Sequence, residues 1–203
     1  MNYPKIESER LLLRQLELSD IDDIVEGLSN KDVSKYVSMA PYPFTKENAE
    51  QYITDGGKRF RRANDVKYYH WGIVLKSENK VIGAVRFEER GGYMGIPSPS
   101  ATTEIWINQY YKGNEYGLES KCLMADYAFN VLGMESIISK YLGENIASHK
   151  MNERSGAIVF DADGGKVIAY ITRRNWNRGR QNNPHYDRIK KYIPQTKVQE
   201  RRR

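Results

Sequence analysis

The chain begins with a strand pattern that is followed by two helical patterns. RLLLRQL (10–16) is a short apolar run, which predicts a first strand. Apolar side chains then recur at the helical positions Ile21, Ile24, Val25 and Leu28. Ser19 is placed to cap this helix. A second helix is predicted to begin at Thr45, and Gly56-Gly57 favours its end or a kink.

Three strand patterns follow in the middle of the chain. YYHWGIVLK (68–76) and KVIGAVRFEE (80–89) are separated by the polar turn SEN, which predicts a β-hairpin. GGYMGIPSPS (91–100) is rich in Gly, Pro and Ser, so it predicts a surface loop. TTEIWIN (102–108) predicts the next strand.

The clearest helical pattern follows a glycine-punctuated loop, YYKGNEYGLES (110–120). Apolar positions recur four and three residues apart at Leu118, Cys122, Ala125, Phe129 and Leu132. Gly133 closes the run. Glycines let a backbone approach a phosphate closely, and a helix N-terminus offers exposed amides with partial positive charge. The loop is therefore either a phosphate cradle or a plain turn.

The remaining chain adds another helix between strands. SIISKYLG (136–143) predicts a buried strand, and ENIASHKMNERSG (144–156) a polar helix. AIVFDADGGKVIAYITRR (157–174) predicts two strands around the turn Asp163-Gly164-Gly165. The order strand, helix, helix, three strands, helix, strand, helix and two strands predicts an α/β fold: one mixed sheet with helices on its faces.

Composition limits the class of protein. With 203 residues, 39% apolar and 29% charged, the chain is expected to form one main domain. No stretch approaches the roughly 18 apolar residues that a membrane span needs, and the N-terminus lacks a signal-peptide pattern, so we expect a cytoplasmic protein without membrane contact. One cysteine and three scattered histidines predict neither a disulfide nor a metal site.

Positive charge is concentrated at the C-terminal end. From Arg173 to Arg203 there are eleven Lys or Arg residues against two acidic residues, while the net charge of the whole chain is +6. This predicts a basic extension (176–203) behind a domain of residues 1–175. Clustered cations indicate an RNA or ribosome contact, and a solvated tail is the alternative that we favour for QTKVQERRR. The apolar residues expected to dock on the domain are Trp176, Tyr186, Ile189, Tyr192 and Ile193.

Four stretches together resemble one enzyme family. They are IESERLLLRQLELSDIDDI, WGIVLKSENKVIGAVRFEE, EIWINQYYKGNEYGLES and ENIASHKMNERSG. In this order they resemble the GCN5-related N-acetyltransferase (GNAT) superfamily over residues 6 to 175, and most closely its ribosomal-protein-alanine N-acetyltransferase (RimJ/RimL-like) branch. The resemblance implies a mostly antiparallel sheet of six to seven strands with a splayed strand pair, about four flanking helices, and acetyl-CoA as acyl donor.

The resemblance also implies which residues hold acetyl-CoA. The loop would bind the pyrophosphate through Lys112, Gly113, Asn114, Tyr116 and Gly117. The splayed strand would line the pantetheine through Trp106, Ile107 and Asn108. After the next strand, Asn145 would contact pantetheine and Ser148 would lie close to the sulfur, although Ser148 is equally well explained as a helix-start hydroxyl.

Glu115 departs from the family pattern, because it stands where relatives carry the central glycine of the loop. A carboxylate beside a pyrophosphate is repelled by about a kcal/mol or more once both are desolvated. Two alternatives follow. Either the side chain turns toward Lys112 or Lys121 and leaves the backbone amide free, which we favour, or the loop binds the donor weakly.

The implied reaction is direct attack of an amine on a thioester, which needs a base, an oxyanion donor and an acid. Glu104 is the candidate base, because strand alternation places it on the same face as Trp106. Many relatives carry this glutamate two residues earlier, where this chain has Thr102, so an ordinary surface charge is the alternative. Tyr141 and His149 are weaker candidates, and Glu119 is expected to be structural.

The acceptor amine is not specified by the sequence. The resemblance implies an acceptor pocket built from residues 30–60 and 160–175. The aromatic residues Tyr36, Tyr42 and Phe44 either close over the acceptor or pack beneath a loop. The acceptor is expected to be a protein N-terminus or another small amine, and the protein a monomer or a homodimer. A pseudoenzyme of the same fold that binds RNA is the alternative function.

Overall fold

The fold is a single mixed sheet with helices on both faces. The computed structural model describes residues 4–38, 40–62, 68–162 and 164–179. Its strands are β1 (Ile6–Glu7), β2 (Leu11–Gln15), β3 (Tyr68–Leu75), β4 (Lys80–Arg90), β5 (Ser100–Ile107), β6 (Ser136–Leu142), β7 (Ile158–Ala162) and β8 (Lys166–Thr172). Its helices are α1 (Ile21–Leu28), α2 (Lys31–Ser34), α3 (Lys46–Arg62), α4 (Tyr116–Asn130), α5 (Ile146–Arg154) and α6 (Arg173–Gly179).

The predicted fold class is confirmed, with more elements than the sequence pattern indicated. Within the described residues the strand order is β1-β2-β3-β4-β5-β6-β8-β7, so the sheet has eight strands rather than six or seven. The added strand, β1, has two residues and pairs Ile6 with Leu13 of β2. The added helices are α2 and α6, with four and seven residues. All three are too short to show a hydrophobic period.

One strand pair differs from all the others. Every neighbouring pair is antiparallel except β5 and β6, which run parallel and pair only from Ser100–Ser136 to Thr103–Ser139. β5 continues to Ile107 and β6 to Leu142 without further pairing between them. The two strands therefore splay apart, as the resemblance implied, and the backbone groups of β5 on that side have no strand partner.

The two faces of the sheet are covered by different helices. On one face α4 packs in a core with Leu11, Trp71, Phe87 and Phe129, all of them fully buried. On the other face α1 and α3 enclose a core that includes Ile24, Leu28, Tyr52 and Trp106. Because strand side chains alternate between faces, residues of β5 reach both cores.

Helix α4 lies so deep in the fold that its polar side chains are buried too. Ser8 Oγ donates to Glu119 Oε1 at 2.6 Å, and Arg10 Nε donates to Glu119 Oε2 at 2.8 Å. These bonds tie the segment before β2 to the start of α4, which gives Glu119 its structural role. At the other end, Trp176 Nε1 of α6 donates to Asp126 Oδ1 at 2.9 Å.

The C-terminal predictions are tested only in part by the structure. Trp176 is 1% exposed and docks on α4, so the described fold continues through α6. Gly164 and Gly165 form the predicted turn with φ of 76° and 73°. Asp163 and the extension from residue 180 onward, which includes Tyr186, Ile189, Tyr192 and Ile193, lie outside the described residues.

The close approach of β4 and β5 at Gly83 generates a stability prediction. A Cβ at Gly83 would lie 2.2 Å from the carbonyl oxygen of Trp106, whereas one at Gly91 would meet no atom within 4 Å. We expect Gly83→Ala to lower the free energy of unfolding by about 2 kcal/mol. The control Gly91→Ala is expected to change it by less than about 0.5 kcal/mol. Urea denaturation measures both, and equal stabilities would contradict the tight backbone contact.

Candidate active site

A cavity of about 460 Å³ follows the splay between β5 and β6. Its walls are the second half of β5, the end of β6, the residues that begin α4, the face of α5 and one side of α2. It therefore connects the N-terminus of α4 with the gap between the two strands. The sequence predicted the helix N-terminus, and the resemblance implied the gap between the strands; the structure places the two beside each other.

The start of α4 presents free backbone amides to this cavity. Tyr116, Gly117 and Leu118 occupy the first turn, where no carbonyl of the helix can accept from their N–H groups. Glu115 precedes them with φ of 64° and ψ of 13°, and its side chain makes no capping bond. Gly113 has φ of 85°, a conformation that glycine adopts without strain. The loop therefore has the form of an anion cradle.

Glu115 forms an ion pair with Arg154 of α5. The ion pair is made with Arg154 rather than with Lys112 or Lys121, the two cations that the sequence analysis named, because α5 packs beside the loop. Lys121 lies on the buried side of α4, where its side chain contacts Asn152 instead. As in the favoured alternative, the Glu115 carboxylate pairs with a cation, and its side chain does not cap the amides of the cradle.

Lys121 links α4 to α5 from inside the protein. It is 1% exposed, and its Nζ donates to Oδ1 of Asn152. Asn152 Nδ2 in turn donates to the carbonyl of Ser148 at 2.8 Å. Burial lowers the pKa of Lys121 to about 7, because desolvation disfavours the charged ammonium. This chain of contacts holds the cavity wall of α5 in place.

The predicted residues of α5 both lie on the cavity wall. Asn145 is the N-cap of the helix, and its side chain accepts from the backbone N–H of Ser148 at 3.1 Å. The capping function therefore belongs to Asn145. Ser148 is therefore not the cap of α5, and it is one of the residues that line the cavity.

The other predicted donor-binding residues divide into two groups. Those that line the cavity are Trp106, Ile107, Lys112, Gly113, Tyr116 and Gly117. Asn108 and Asn114 are not among its lining residues. Asn108 is 1% exposed and donates through Nδ2 to Glu26 at 2.9 Å. Asn114 Nδ2 donates to the carbonyl of Tyr111 at 3.3 Å. Both asparagines shape the loop from outside the cavity.

Trp106 lines the cavity from the side of α1 and α3. Its Nε1 donates to the hydroxyl of Tyr52 at 3.0 Å, and a Cβ at Gly27 would meet its ring at 2.5 Å. The indole is 5% exposed. It therefore fixes the position of β5 where β5 leaves β6.

Glu104 lies where this cavity meets a second one. Its Oε2 accepts from Arg86 Nη2 and from Ser38 Oγ, both at 2.8 Å. Among the described residues no hydrogen bond reaches its Oε1. Arg86 and Ser38 therefore hold the Glu104 carboxylate through one of its two oxygens. Thr102, where many relatives carry this glutamate, lies two residues earlier on β5 and lines the second cavity.

Tyr141 and His149 form a polar chain at the cavity edge. The Tyr141 hydroxyl lies 3.2 Å from His149 Nδ1, and His149 Nε2 lies 3.5 Å from Glu153 Oε1. Tyr141 itself lines the cavity. The sequence analysis named Tyr141 and His149 as weak candidates. It could not predict their contact, because the two residues lie on different elements, β6 and α5.

The second cavity has a volume of about 530 Å³. Its lining residues are Arg86, Glu88, Arg90, Gly91, Gly92, Tyr93, Thr102, Thr103, Glu104 and Lys140. The sequence analysis did not identify this cavity. Its signal was the alternation in VRFEER, which places three charged side chains of β4 on one face of the sheet.

The aromatic residues of the loop after α2 have separate positions. Tyr36 lines the first cavity, whereas Tyr42 is 59% exposed. Phe44 is 4% exposed and packs edge-on against Tyr52, with ring centroids 6.4 Å apart. Packing beneath the loop is therefore the correct reading for Phe44, and Tyr36 is the member that reaches the site.

Among the described residues, no group of three or more His, Cys, Asp or Glu side chains is arranged to hold a metal ion. No helix in this part of the chain is long and apolar enough to cross a membrane.

Comparison with known proteins gives consistent results. The profile of the acetyltransferase (GNAT) domain matches residues 10–158. YnaD of Bacillus subtilis, named as an uncharacterized N-acetyltransferase, is 27% identical over 157 residues, which cover 74% of this chain and 81% of YnaD. YjcK of the same species, named as a probable N-acetyltransferase, is 26% identical over 157 residues, with coverage of 74% and 82%.

Solved structures share the fold at lower identity. A GNAT-family acetyltransferase from Bacillus anthracis is 22% identical with a TM-score of 0.66, covering 83% of this chain and 98% of its own. A Vibrio cholerae protein described as a "putative ribosomal-protein-serine acetyltransferase" is 20% identical with a TM-score of 0.69, covering 85% and 99%. FdhC, described as a nucleotide-linked sugar GNAT, is 18% identical with a TM-score of 0.71, covering 93% and 99%.

The buried ammonium of Lys121 generates a pH prediction. Its pKa is about 7 in the folded protein and 10.5 ordinarily, so the unfolded chain binds more protons between these values. Stability therefore rises with pH through this window. Relative to Lys121→Met, the free energy of unfolding of the native protein is expected to rise by about 2 kcal/mol from pH 7 to pH 9.

Urea denaturation at the two pH values measures this difference. Lys166→Met is the matched control, because Lys166 is exposed on β8 and is expected to leave the pH dependence unchanged. A constant difference between the native protein and Lys121→Met would contradict the lowered pKa.

Proposed function

The chain belongs to the acetyltransferase (GNAT) domain family, and on that premise we propose that it transfers the acetyl group of acetyl-CoA to a primary amine by direct attack on the thioester. Family membership confirms the GNAT resemblance seen in the sequence and makes the chain an acetyltransferase, whereas the ribosomal-protein branch belongs to the proposal. Use of acetyl-CoA is general for the family. The acceptor, the route of attack and the role of each residue belong to the proposal.

The proposal rests on the two features that the first cavity connects. This cavity joins free helix amides to a gap between two strands of a sheet, and the strand on one side of the gap has unpaired backbone groups. Acetyl-CoA is long and has phosphates at one end and an acetyl thioester at the other. Amides suit the pyrophosphate, and a free strand edge suits the amide-containing pantetheine.

The residues at the α4 end fit an anionic ligand. The amides of Tyr116 and Gly117 are joined there by the side chains of Lys112, Lys150 and Arg154, all lining the same cavity. A Cβ at Gly117 would meet only Ile107 and Met151 at 3.5 Å, so the backbone is approachable from the cavity. We assign the pyrophosphate to the amides and to these cations.

At the splay, acetyl-CoA supplies an electrophilic carbonyl on a good leaving group. We assign Glu104 as the base that takes the proton of the attacking amine through Oε1. Arg86 and Ser38 hold its other oxygen and so fix the carboxylate. Unpaired N–H groups of β5 are placed to polarise the carbonyl. A positioned base of this kind contributes about 10²- to 10⁴-fold to a rate.

On the side of α5, Ser148 is assigned to the sulfur end of the cavity. Ser148 lines the cavity, and Asn145 caps the first turn of its helix. A hydroxyl at this position would donate a hydrogen bond to the thiolate that leaves when the C–S bond of the thioester breaks. The side-chain oxygen of Asn145 caps the helix, so its Nδ2 amide group is the one that would contact pantetheine.

The acceptor is proposed to be a protein N-terminus or another small amine. The ribosomal-protein branch is supported by the description of the Vibrio cholerae protein, which shares the fold at 20% identity. The same proposal includes a domain of residues 1–175 followed by a basic extension at 176–203. It also includes a cytoplasmic location, a monomeric or homodimeric state, and an RNA or ribosome contact through the extension. The RNA-binding pseudoenzyme has no observation in its favour among the described residues.

Substitution of Gly117 tests the position of the pyrophosphate. Gly117→Glu places a second carboxylate at the start of α4 and is expected to weaken acetyl-CoA binding about tenfold or more, because like charges repel in a partly desolvated site. Gly117→Gln is the isosteric control and should weaken binding less. Calorimetric titration measures both, and unchanged affinity in Gly117→Glu would overturn the assignment.

Substitution of Glu115 tests whether its carboxylate opposes binding. Glu115→Gln removes the charge and keeps the left-handed residue, whereas Glu115→Gly also removes the backbone strain. Both variants release Arg154, so both are expected to bind acetyl-CoA about fivefold more tightly. Calorimetry of the two variants beside the native protein measures this. Weaker binding in Glu115→Gln would mean that the ion pair supports the cradle.

A further inference from the structure

We propose that the acceptor binds in the second cavity and is a small primary amine that carries a carboxylate or phosphate group, held by Lys140. This rests on the proposed function, because it names the substrate class of the same transferase. The argument depends on where the second cavity lies and on the charges that line it.

The second cavity adjoins the place where the acetyl group is proposed to lie. The two cavities share Thr103, Glu104 and Lys140. Thr103 is also the last residue of β5 that pairs with β6, so the shared wall lies at the start of the splay. An amine in the second cavity therefore reaches both the gap and the proposed base Glu104.

The charges of the second cavity leave one cation in excess. Arg86 pairs with Glu104 at 2.8 Å, and Arg90 pairs with Glu88 at 3.0 Å. Lys140 is the third cation of the lining, and no carboxylate among the described residues lies within 4.0 Å of its Nζ. A ligand with one anionic group supplies the missing partner, and a purely cationic ligand does not.

The position of the Lys140 ammonium is fixed by an aromatic ring. Its Nζ lies 3.9 Å from the centroid of the Tyr93 ring, and Tyr93 lines the same cavity. A cation over a ring face is held by the ring quadrupole but keeps its hydrogen-bond donors for other groups. Lys140 can therefore bind an anion without first breaking an ion pair.

A positive site also favours the reactive form of the acceptor. Direct attack requires a neutral amine, and nearby cations oppose the protonated form. Lys140 and Arg86 both face the second cavity, and Glu104 is placed to receive the proton. The cations of the cavity attract the anionic group of the acceptor and repel its ammonium group. The acceptor is therefore oriented with its amine toward Glu104.

Matched pairs of amines test this proposal. Glucosamine 6-phosphate and glucosamine differ by a phosphate, and leucine and leucinamide differ by a carboxylate. We expect the anionic member of at least one pair to be acetylated about tenfold or more efficiently in kcat/KM, and to show saturable calorimetric binding that its neutral partner lacks. Lys140→Gln is expected to abolish the preference and the binding, whereas the control Lys166→Gln, outside both cavities, keeps them.

The outcomes separate this proposal from the proposed function. If acetyl-CoA binds but neutral amines react as well as anionic ones, or if the preference survives in Lys140→Gln, the anionic acceptor is wrong and the transferase stands. Two peptides, one beginning Ser-Asp and the other Ser-Asn, are assayed beside the small amines. If only these peptides react, the proposal of a small anionic acceptor is wrong and the transferase stands. If acetyl-CoA does not bind the native protein at all, the proposed function itself fails.

Discussion

The site depends on one short parallel pairing inside an antiparallel sheet. β5 and β6 pair through four residues each and then separate, although both strands continue. Antiparallel neighbours on either side, β4 and β8, hold the two strands in place along their outer edges. The gap is therefore built by rigid elements, and its unpaired backbone groups do not depend on a mobile loop.

Helix α4 converts this gap into a binding site because buried polar contacts fix where it begins. Glu119 is held by Ser8 and Arg10, and Lys121 is held by Asn152 of α5. Removing one partner of a buried charge is costly, so these contacts define one position for the first turn. The same contacts fix the wall formed by α5 relative to the amides of the cradle.

The elements that could be predicted from the sequence are those with a clear periodic pattern of apolar side chains. The strands with alternating side chains and the apolar positions of α4 were predicted at nearly their observed bounds. β1, α2 and α6 were missed because two to seven residues carry no readable period. Arg154, the partner of Glu115, was not among the cations named, because it lies 39 positions away along the chain and is brought close only by the packing of α5.

The ion pair between Glu115 and Arg154 also affects how ionic strength acts on the cradle. Both side chains are partly exposed, 36% for Glu115 and 51% for Arg154, so dissolved salt weakens their attraction. The same salt weakens the attraction between the cradle and a phosphate. Because the pair competes for Arg154, these two effects oppose each other. The affinity of the loop for anions is therefore buffered against changes in ionic strength, which a glycine in place of Glu115 would not provide.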